Sequence, residues 1–238
     1  MHMKKSHLET VPSDKAATCA AETTEAKLGT RERILKAAEE LFAMHGYAGT
    51  SLRSVMAAAG VDNGAIYYHF KTKLGLLQAL FEARVSPVNE KREQMLSELE
   101  ALSKGKALSI KEVLYAFIAP ALLQASVPEA AAFNRVTALC SVDPDPDVRQ
   151  VVFDAYNEVG RRFAKLLRNT APPMSDQSFH WCLECMYGAM MYIRSDNGRV
   201  SNMLDASHRQ QPPETVIQQL VDFVSAGFFA HASTSQTK

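Results

Sequence analysis

Residues 50–73 read TSLRSVMAAAGVDNGAIYYHFKTK, and the spacing of apolar and polar side chains in this stretch decides the fold. Thr50-Ser51 supplies hydroxyls that can cap a helix, and Leu52, Val55, Met56 and Ala59 then share one face before Gly60 stops the segment. Asp62 is a second cap. Behind it Ile66 and Phe70, four residues apart, point one way and leave Asn63, Tyr67 and Tyr68 to point elsewhere. Two short helices joined by Ala59-Gly60-Val61 match a helix-turn-helix, a motif whose later helix enters the major groove of DNA. Composition sharpens that geometry, because Asn63, Tyr67, Tyr68 and His69 all hydrogen-bond or stack, and Lys71 and Lys73 follow at once.

Upstream, Ile34, Leu35, Ala38, Leu41 and Phe42 recur at helical spacing, with Arg31, Glu32, Lys36, Glu39 and Glu40 opposite and Gly46 placed to end the helix. Downstream, Leu74, Leu76, Leu77, Leu80 and Phe81 start a fourth helix. The chain as a whole is neutral, with 26 basic and 26 acidic side chains, so a nucleic-acid site has to be local. Residues 30–77 carry six basic groups (Arg31, Arg33, Lys36, Arg53, Lys71, Lys73) against four acidic ones (Glu32, Glu39, Glu40, Asp62), a modest excess on the expected DNA side.

The run Leu41-Phe42, His45-Gly46-Tyr47, Thr50, Ala59-Gly60-Val61, Gly64-Ala65-Ile66-Tyr67-Tyr68-His69-Phe70 and Lys73 resembles the DNA-binding domain of TetR-family transcriptional repressors. Asp62 stands where many members have serine, and Val55-Met56 where many have Ile-Ala. The resemblance implies that Thr50, Tyr67 and Lys73 meet phosphates, that Arg53, Asn63 and Tyr68 reach base edges, that His69 lies at the backbone, and that Ala65 meets a thymine methyl. The implied partner is a palindromic double-stranded operator.

From about Val85 to His231 the chain still reads as helix, with candidates at 84–102, 109–124, 128–141, 145–170, 175–195 and 214–230. The expected fold is all-α: a helix-turn-helix domain at 30–77 and a larger helical effector-binding and dimerisation domain at 78–232. Mobile tails are expected at 1–29 and 233–238. The segment 175–195 has no polar face, and the last helix is also largely apolar. Together they predict a twofold four-helix dimer interface holding Met186, Gly188, Ala189, Val224, Gly227 and Phe228. TetR-like proteins dimerise in this way. Glu184, read as buried, needs an arginine such as Arg135 or Arg161, or a ligand. Phe117, Phe133, Tyr156, Glu184, Tyr187 and Met191 are the candidate effector-binding residues. His180-Trp181-Cys182 followed by Met190 to Arg194 resembles the sensor domains of fatty-acid-responsive TetR-like repressors, which implies a small, fatty-acid-like apolar effector.

Cys182 and Cys185 are spaced like metal ligands, with His180 near, but no second pair exists in the sequence. No metal or cofactor is expected, and a redox switch on these thiols is an alternative to a small-molecule effector. An all-α enzyme is a further alternative, against which stands the absence of a Gly-x-Ser-x-Gly elbow, a phosphate loop or a His-Glu-x-x-His pair. Four cysteines make no disulfide framework, and no run of about 18 apolar residues occurs, so a cytoplasmic protein without a membrane span is expected.

Overall fold

In the computed structural model the described residues are 29–195, 198–204 and 211–235, and they form helices and turns without a strand. The expected N-terminal tail lies, apart from Gly29, outside the described residues. The expected C-terminal tail begins inside a helix that runs on to Ser235. The elements are α1 (Thr30–Gly49), α2 (Leu52–Ala59), α3 (Asn63–Phe70), α4 (Lys73–Ser103), α5 (Ile110–Ala125), a 3-10 turn (Pro128–Ala130), α6 (Ala131–Ser141), α7 (Pro146–Thr170), α8 (Asp176–Ser195), α9 (Arg199–Met203) and α10 (Pro213–Ser235).

Local chemistry sets the boundaries as read from the sequence. Gly46 interrupts α1 with φ 71° and ψ 173°, a backbone that glycine adopts without Cβ strain. Ser51 caps α2 in a reciprocal pair with Ser54, and Gly60 closes it in the left-handed conformation. The Asp62 carboxylate accepts from the Ala65 amide at 2.9 Å and opens α3. Thr72 does the same for Gly75 at the head of α4.

The largest difference is in α4. The segments expected at Leu74–Phe81 and 84–102 are a single 31-residue helix that passes through position 77 and through Pro87 without a break. Proline inside a helix costs about 3 kcal/mol. Here the apolar row Leu77, Phe81, Val85, Val88 and Leu96, all buried, continues on both sides of the proline and offsets that cost.

Two cores result. The first gathers Ile34, Leu35 and Phe42 of α1, Val55 of α2, Ile66 and Phe70 of α3 and Leu76 to Val85 of α4. It also takes in Phe133, Val136 and Cys140 of α6 and Val148, Val151 and Val152 of α7. The second gathers Leu96, most of α5, Val159, Phe163 and Leu167 of α7, Cys182, Met186 and Met190 of α8, and Ile217 to Phe228 of α10. The helix-turn-helix half is therefore packed on α6 and α7 and shares their hydrophobic burial.

Candidate functional site

The outer side of α3 is built by what its inner side buries. Ile66 and Phe70 are 1% and 5% exposed, which fixes the helix rotation and turns Asn63, Gly64, Tyr67, Tyr68 and His69 to solvent. Tyr68 is 83% exposed and meets the His69 ring edge-on at 5.1 Å; Tyr67 is 54% exposed. A large aromatic left in water beside a polar row is unusual in a core-forming helix and natural on a recognition surface. Arg53 of α2 and Lys71 at the end of α3 are also exposed, and Ala65 is half-buried.

Two expected phosphate contacts are spent internally. Thr50 is 2% exposed, and its Oγ1 donates toward the carbonyls of Gly46 at 2.9 Å and Leu41 at 3.1 Å, so the hydroxyl ties the end of α1 and is not presented to DNA. The Lys73 ammonium turns inward too, donating to the carbonyls of Tyr47 at 2.9 Å and Thr50 at 3.0 Å, 4.2 Å from the centre of the Tyr47 ring. It neutralises the carbonyl-rich end of α1. Ser51, whose Oγ accepts from the Ser54 amide at 3.0 Å, is exposed at the N-terminus of α2.

Three of the expected effector residues come together around Phe117 of the second core, with Tyr156 packed against the first core and Tyr187 43% exposed on α8. The Phe117 ring stacks on Phe163 at 3.9 Å and meets Tyr187 edge-on at 6.0 Å, and the Arg92 guanidinium lies 4.0 Å above Phe117 and 6.0 Å from the Tyr156 ring. Phe133 does not join them: it faces the other core, edge-on to Phe81 at 5.1 Å. Met191 is half-buried. Glu184 is exposed, with His180 as its partner at 3.5 Å, so the expected buried carboxylate and its pairing with Arg135 or Arg161 are not found.

Arg92 is 3% exposed; its Nε donates to the Phe117 carbonyl at 2.8 Å and its Nη1 to Asn89 Oδ1 at 3.2 Å. Burial lowers its pKa to about 10, with the Arg194 charge acting in the same direction and Tyr156 and Tyr187 against it. Desolvation raises the Tyr187 hydroxyl, and the Arg92 charge opposes the rise. Arg194 donates from Nη2 to Asn134 Oδ1 at 3.2 Å, and its buried Nε has no hydrogen-bond partner.

The expected dimer residues divide by face. Met186 (0% exposed), Val224 (7%) and Phe228 (0%) face the protomer's own core, unlike the expectation that they face a second copy, and the half-buried Ala189 packs partly against that core. On the outer face of α8 lie Trp181, Cys185, Gly188 and Tyr192, and on that of α10 lie Phe223, Ala226 and the half-buried Gly227. A Cβ placed on Gly188 or Gly227 meets nothing within 4 Å. Cys182 is buried and Cys185 exposed, and among the described residues no cluster of three or more His, Cys, Asp or Glu is arranged to hold a metal.

Family comparison agrees with both halves. Residues 34–80 match the model for bacterial regulatory proteins of the tetR family, and residues 115–227 match the tetracyclin repressor-like C-terminal domain. The regulator LmrA of Bacillus subtilis is 30% identical over 144 residues, 59% of this chain and 72% of LmrA. This chain belongs to the TetR family. The regulator AcrR of Shigella flexneri is 40% identical over 86 residues, 36% of this chain, and the match spans only 38% of AcrR's own length. Among solved structures, the fatty acid degradation regulator FadR of Bacillus halodurans superposes with a TM-score of 0.60 at 17% identity, covering 84% of this chain and 97% of that one. FadR of Bacillus subtilis, solved in complex with stearoyl-CoA, gives 0.54 at 21%, covering 82% and 98%. At these identities the likeness is one of fold.

Sequence reasoning missed Arg92, Arg194, Asn89 and Asn134 in this TetR-family chain. Arg92 did carry a signal, since it falls at the expected apolar place in the row Val85, Val88, Arg92, Leu96. A groove of about 760 Å³ between α4 and α7 was also not foreseen; it is lined by Glu82, Glu90, Glu93, Asp154 and Glu158 and by none of the expected effector residues. No single helix among the described residues is long and apolar enough to cross a membrane.

Proposed function

We propose that this TetR-family chain is a homodimeric transcriptional repressor that places two copies of α3 in successive major grooves of a palindromic operator, about 34 Å apart, and leaves it when a small apolar effector enters the larger domain. The observation that carries the DNA reading is the split of α3 into a buried Ile66/Phe70 side and an exposed Asn63/Tyr67/Tyr68/His69 side. Asn63 and Tyr68, with Arg53 from α2, read base edges; Tyr67, His69 and Ser51 hold the backbone; Ala65 lies against a thymine methyl. The dimer face is the 4-3-4 row Trp181, Cys185, Gly188, Tyr192 on α8 together with Phe223 and Gly227 on α10, where Trp181 and Phe223 stand 59% and 72% exposed in the single chain. The aromatic group Phe117, Tyr156, Phe163 and Tyr187 supports an apolar effector, as does the likeness in fold to a regulator solved with stearoyl-CoA.

Selection of an operator from a randomised duplex pool tests the reading. A palindrome should emerge. Tyr67→Ala should then weaken all duplexes alike, while Asn63→Ala should change the preferred base at one position per half-site by about 1–3 kcal/mol. Equal loss on every operator variant for Asn63→Ala removes it as a reader, and recovery of no preferred sequence removes the proposed function.

A further inference from the structure

The second core holds a buried arginine without an acid, Arg92, and a second, half-buried arginine, Arg194, acts on it. The Arg194 charge acts on Arg92 as a like charge, and among the described residues no carboxylate forms an ion pair with either. The nearby acids on α4 are engaged elsewhere or face outward: Glu93 pairs with Arg162, and Glu90 lines the outer groove. A buried cation without a counter-charge is among the most expensive things a fold can contain, and arginine cannot escape by losing its proton near neutrality.

A structural reason covers only part of this. Pro120 leaves the Ala116 carbonyl of α5 without its helical donor, and the Arg92 Nε–H donates to the next carbonyl along, that of Phe117. A neutral donor such as glutamine would serve that carbonyl at far lower cost, so the carbonyl explains the donor and not the charge. Nothing comparable occupies the Arg194 Nε, which is buried and unpaired. Each guanidinium has five N–H donors, and the hydrogen bonds formed use two on Arg92 and one on Arg194.

We propose that these two arginines, with the Tyr156 and Tyr187 hydroxyls, are the seat for an anionic head on an otherwise apolar effector, whose chain lies along Phe117 and Phe163. This rests on the apolar-effector reading above and assigns the residues that hold the charged end. The anion is the carboxylate of a free acid or the phosphates of an acyl thioester, and it does not sit in the outer groove, whose five carboxylates repel it.

The test uses the full-length dimer, titrated calorimetrically with dodecanoate, dodecan-1-ol, dodecanoyl-CoA and benzoate, alongside Arg194→Gln. A second variant, Arg92→Gln, keeps the donor to Phe117. Dodecanoate should bind, dodecan-1-ol should bind at least tenfold more weakly, and each variant should lose about ten- to a hundredfold for the acid while leaving the alcohol unchanged. Tight, Arg194-dependent binding of dodecanoyl-CoA with none by dodecanoate supports the proposal with phosphate as the anion. Arg194-dependent binding of benzoate alone keeps the anion seat and overturns the long apolar chain. Equal binding of acid and alcohol, insensitive to either variant, overturns the anion seat and keeps the apolar effector. Failure of all four compounds overturns both.

Discussion

Lys73→Met separates a clamp from a DNA contact. In the structure the ammonium makes two charge-assisted hydrogen bonds, at 2.9 and 3.0 Å, to the carbonyls of Tyr47 and Thr50, and lies 4.2 Å from the Tyr47 ring centre. A charged hydrogen bond contributes about 1.5–3 kcal/mol and an exposed cation–π contact about 0.5–1. Lys73 is half-buried, so the lower ends apply, and water re-solvates part of what the carbonyls lose. Methionine keeps the stem packed and removes only the head. A loss of about 2–3 kcal/mol from the helix-turn-helix half follows, read by urea unfolding and by amide exchange in α1 to α4. If Lys73 instead neutralised a phosphate, stability would hold and the slope of log K against log salt would fall by about 1. An unchanged unfolding midpoint combined with that reduced slope would refute the clamp.

Gly75→Ala should destabilise the same half by about 2 kcal/mol or more, because a Cβ there would lie 2.3 Å from the Phe70 carbonyl oxygen and push α3 off the head of α4; calorimetric unfolding checks it. Gly188→Leu should convert the dimer to monomers in sedimentation, since the twofold axis inserts the new side chain twice and overpacking costs about 1–3 kcal/mol each time; an unchanged mass would disprove the interface. Arg84→Met should cost about 2–3 kcal/mol by leaving the 7%-exposed Glu39 without its 2.7 Å partner. Burial already raises the Glu39 pKa against the pull of Arg84, so in the variant it rises further. The folded state then binds that proton more tightly than the unfolded one, and the deficit should be small at pH 4.5 and grow as pH climbs through the raised pKa, which urea curves at pH 5 and pH 8 would show.

What was legible in the sequence was local. The four-residue spacing of Ile66 and Phe70, the Asp62 cap and the Gly60 stop each depend on neighbours within one or two turns, and each stands in the structure as read. The inward turn of Thr50 and Lys73 was not legible because their partners are carbonyls near the break at Gly46, up to 26 residues away along the chain, which no periodicity reveals. Glu184 failed for a different reason. A helix with apolar groups on every side suggested burial on every side, whereas one face packs inside the protomer and another carries Trp181 and Tyr192 outward. The same ambiguity hid that Met186 and Phe228 face the second core and Phe133 the first: an apolar residue declares that it is covered, not by what. Arg92 was the opposite case, a charged residue in a buried row whose anomaly was open to reading.

The fold also explains how a charge deep in the larger domain can reach α3. Asn134 and Phe133 are consecutive on α6: the first accepts from Arg194 and donates to the Ala125 carbonyl, and the second packs on Phe81 in the core shared with the helix-turn-helix half. An anion that draws Arg194 toward Arg92 competes for the donor that Asn134 now holds, so α6 feels the effector on one side and the DNA-binding half on the other. The second path is α4, on which Arg92 lies 19 residues after Lys73, about 28 Å along one unbroken helix. At its far end the head of α4 touches α3 with no slack, since even a methyl on Gly75 would overlap Phe70. A shift of an ångström at Arg92 cannot be absorbed by a loop there, because helix, cap and recognition helix are in contact. Moving such an equilibrium from 1:99 to 99:1 needs about 5.5 kcal/mol of preference for the released state. In the proposed mechanism one anion between the buried Arg92 and the half-buried Arg194 supplies that preference, because it favours the state in which the arginines converge.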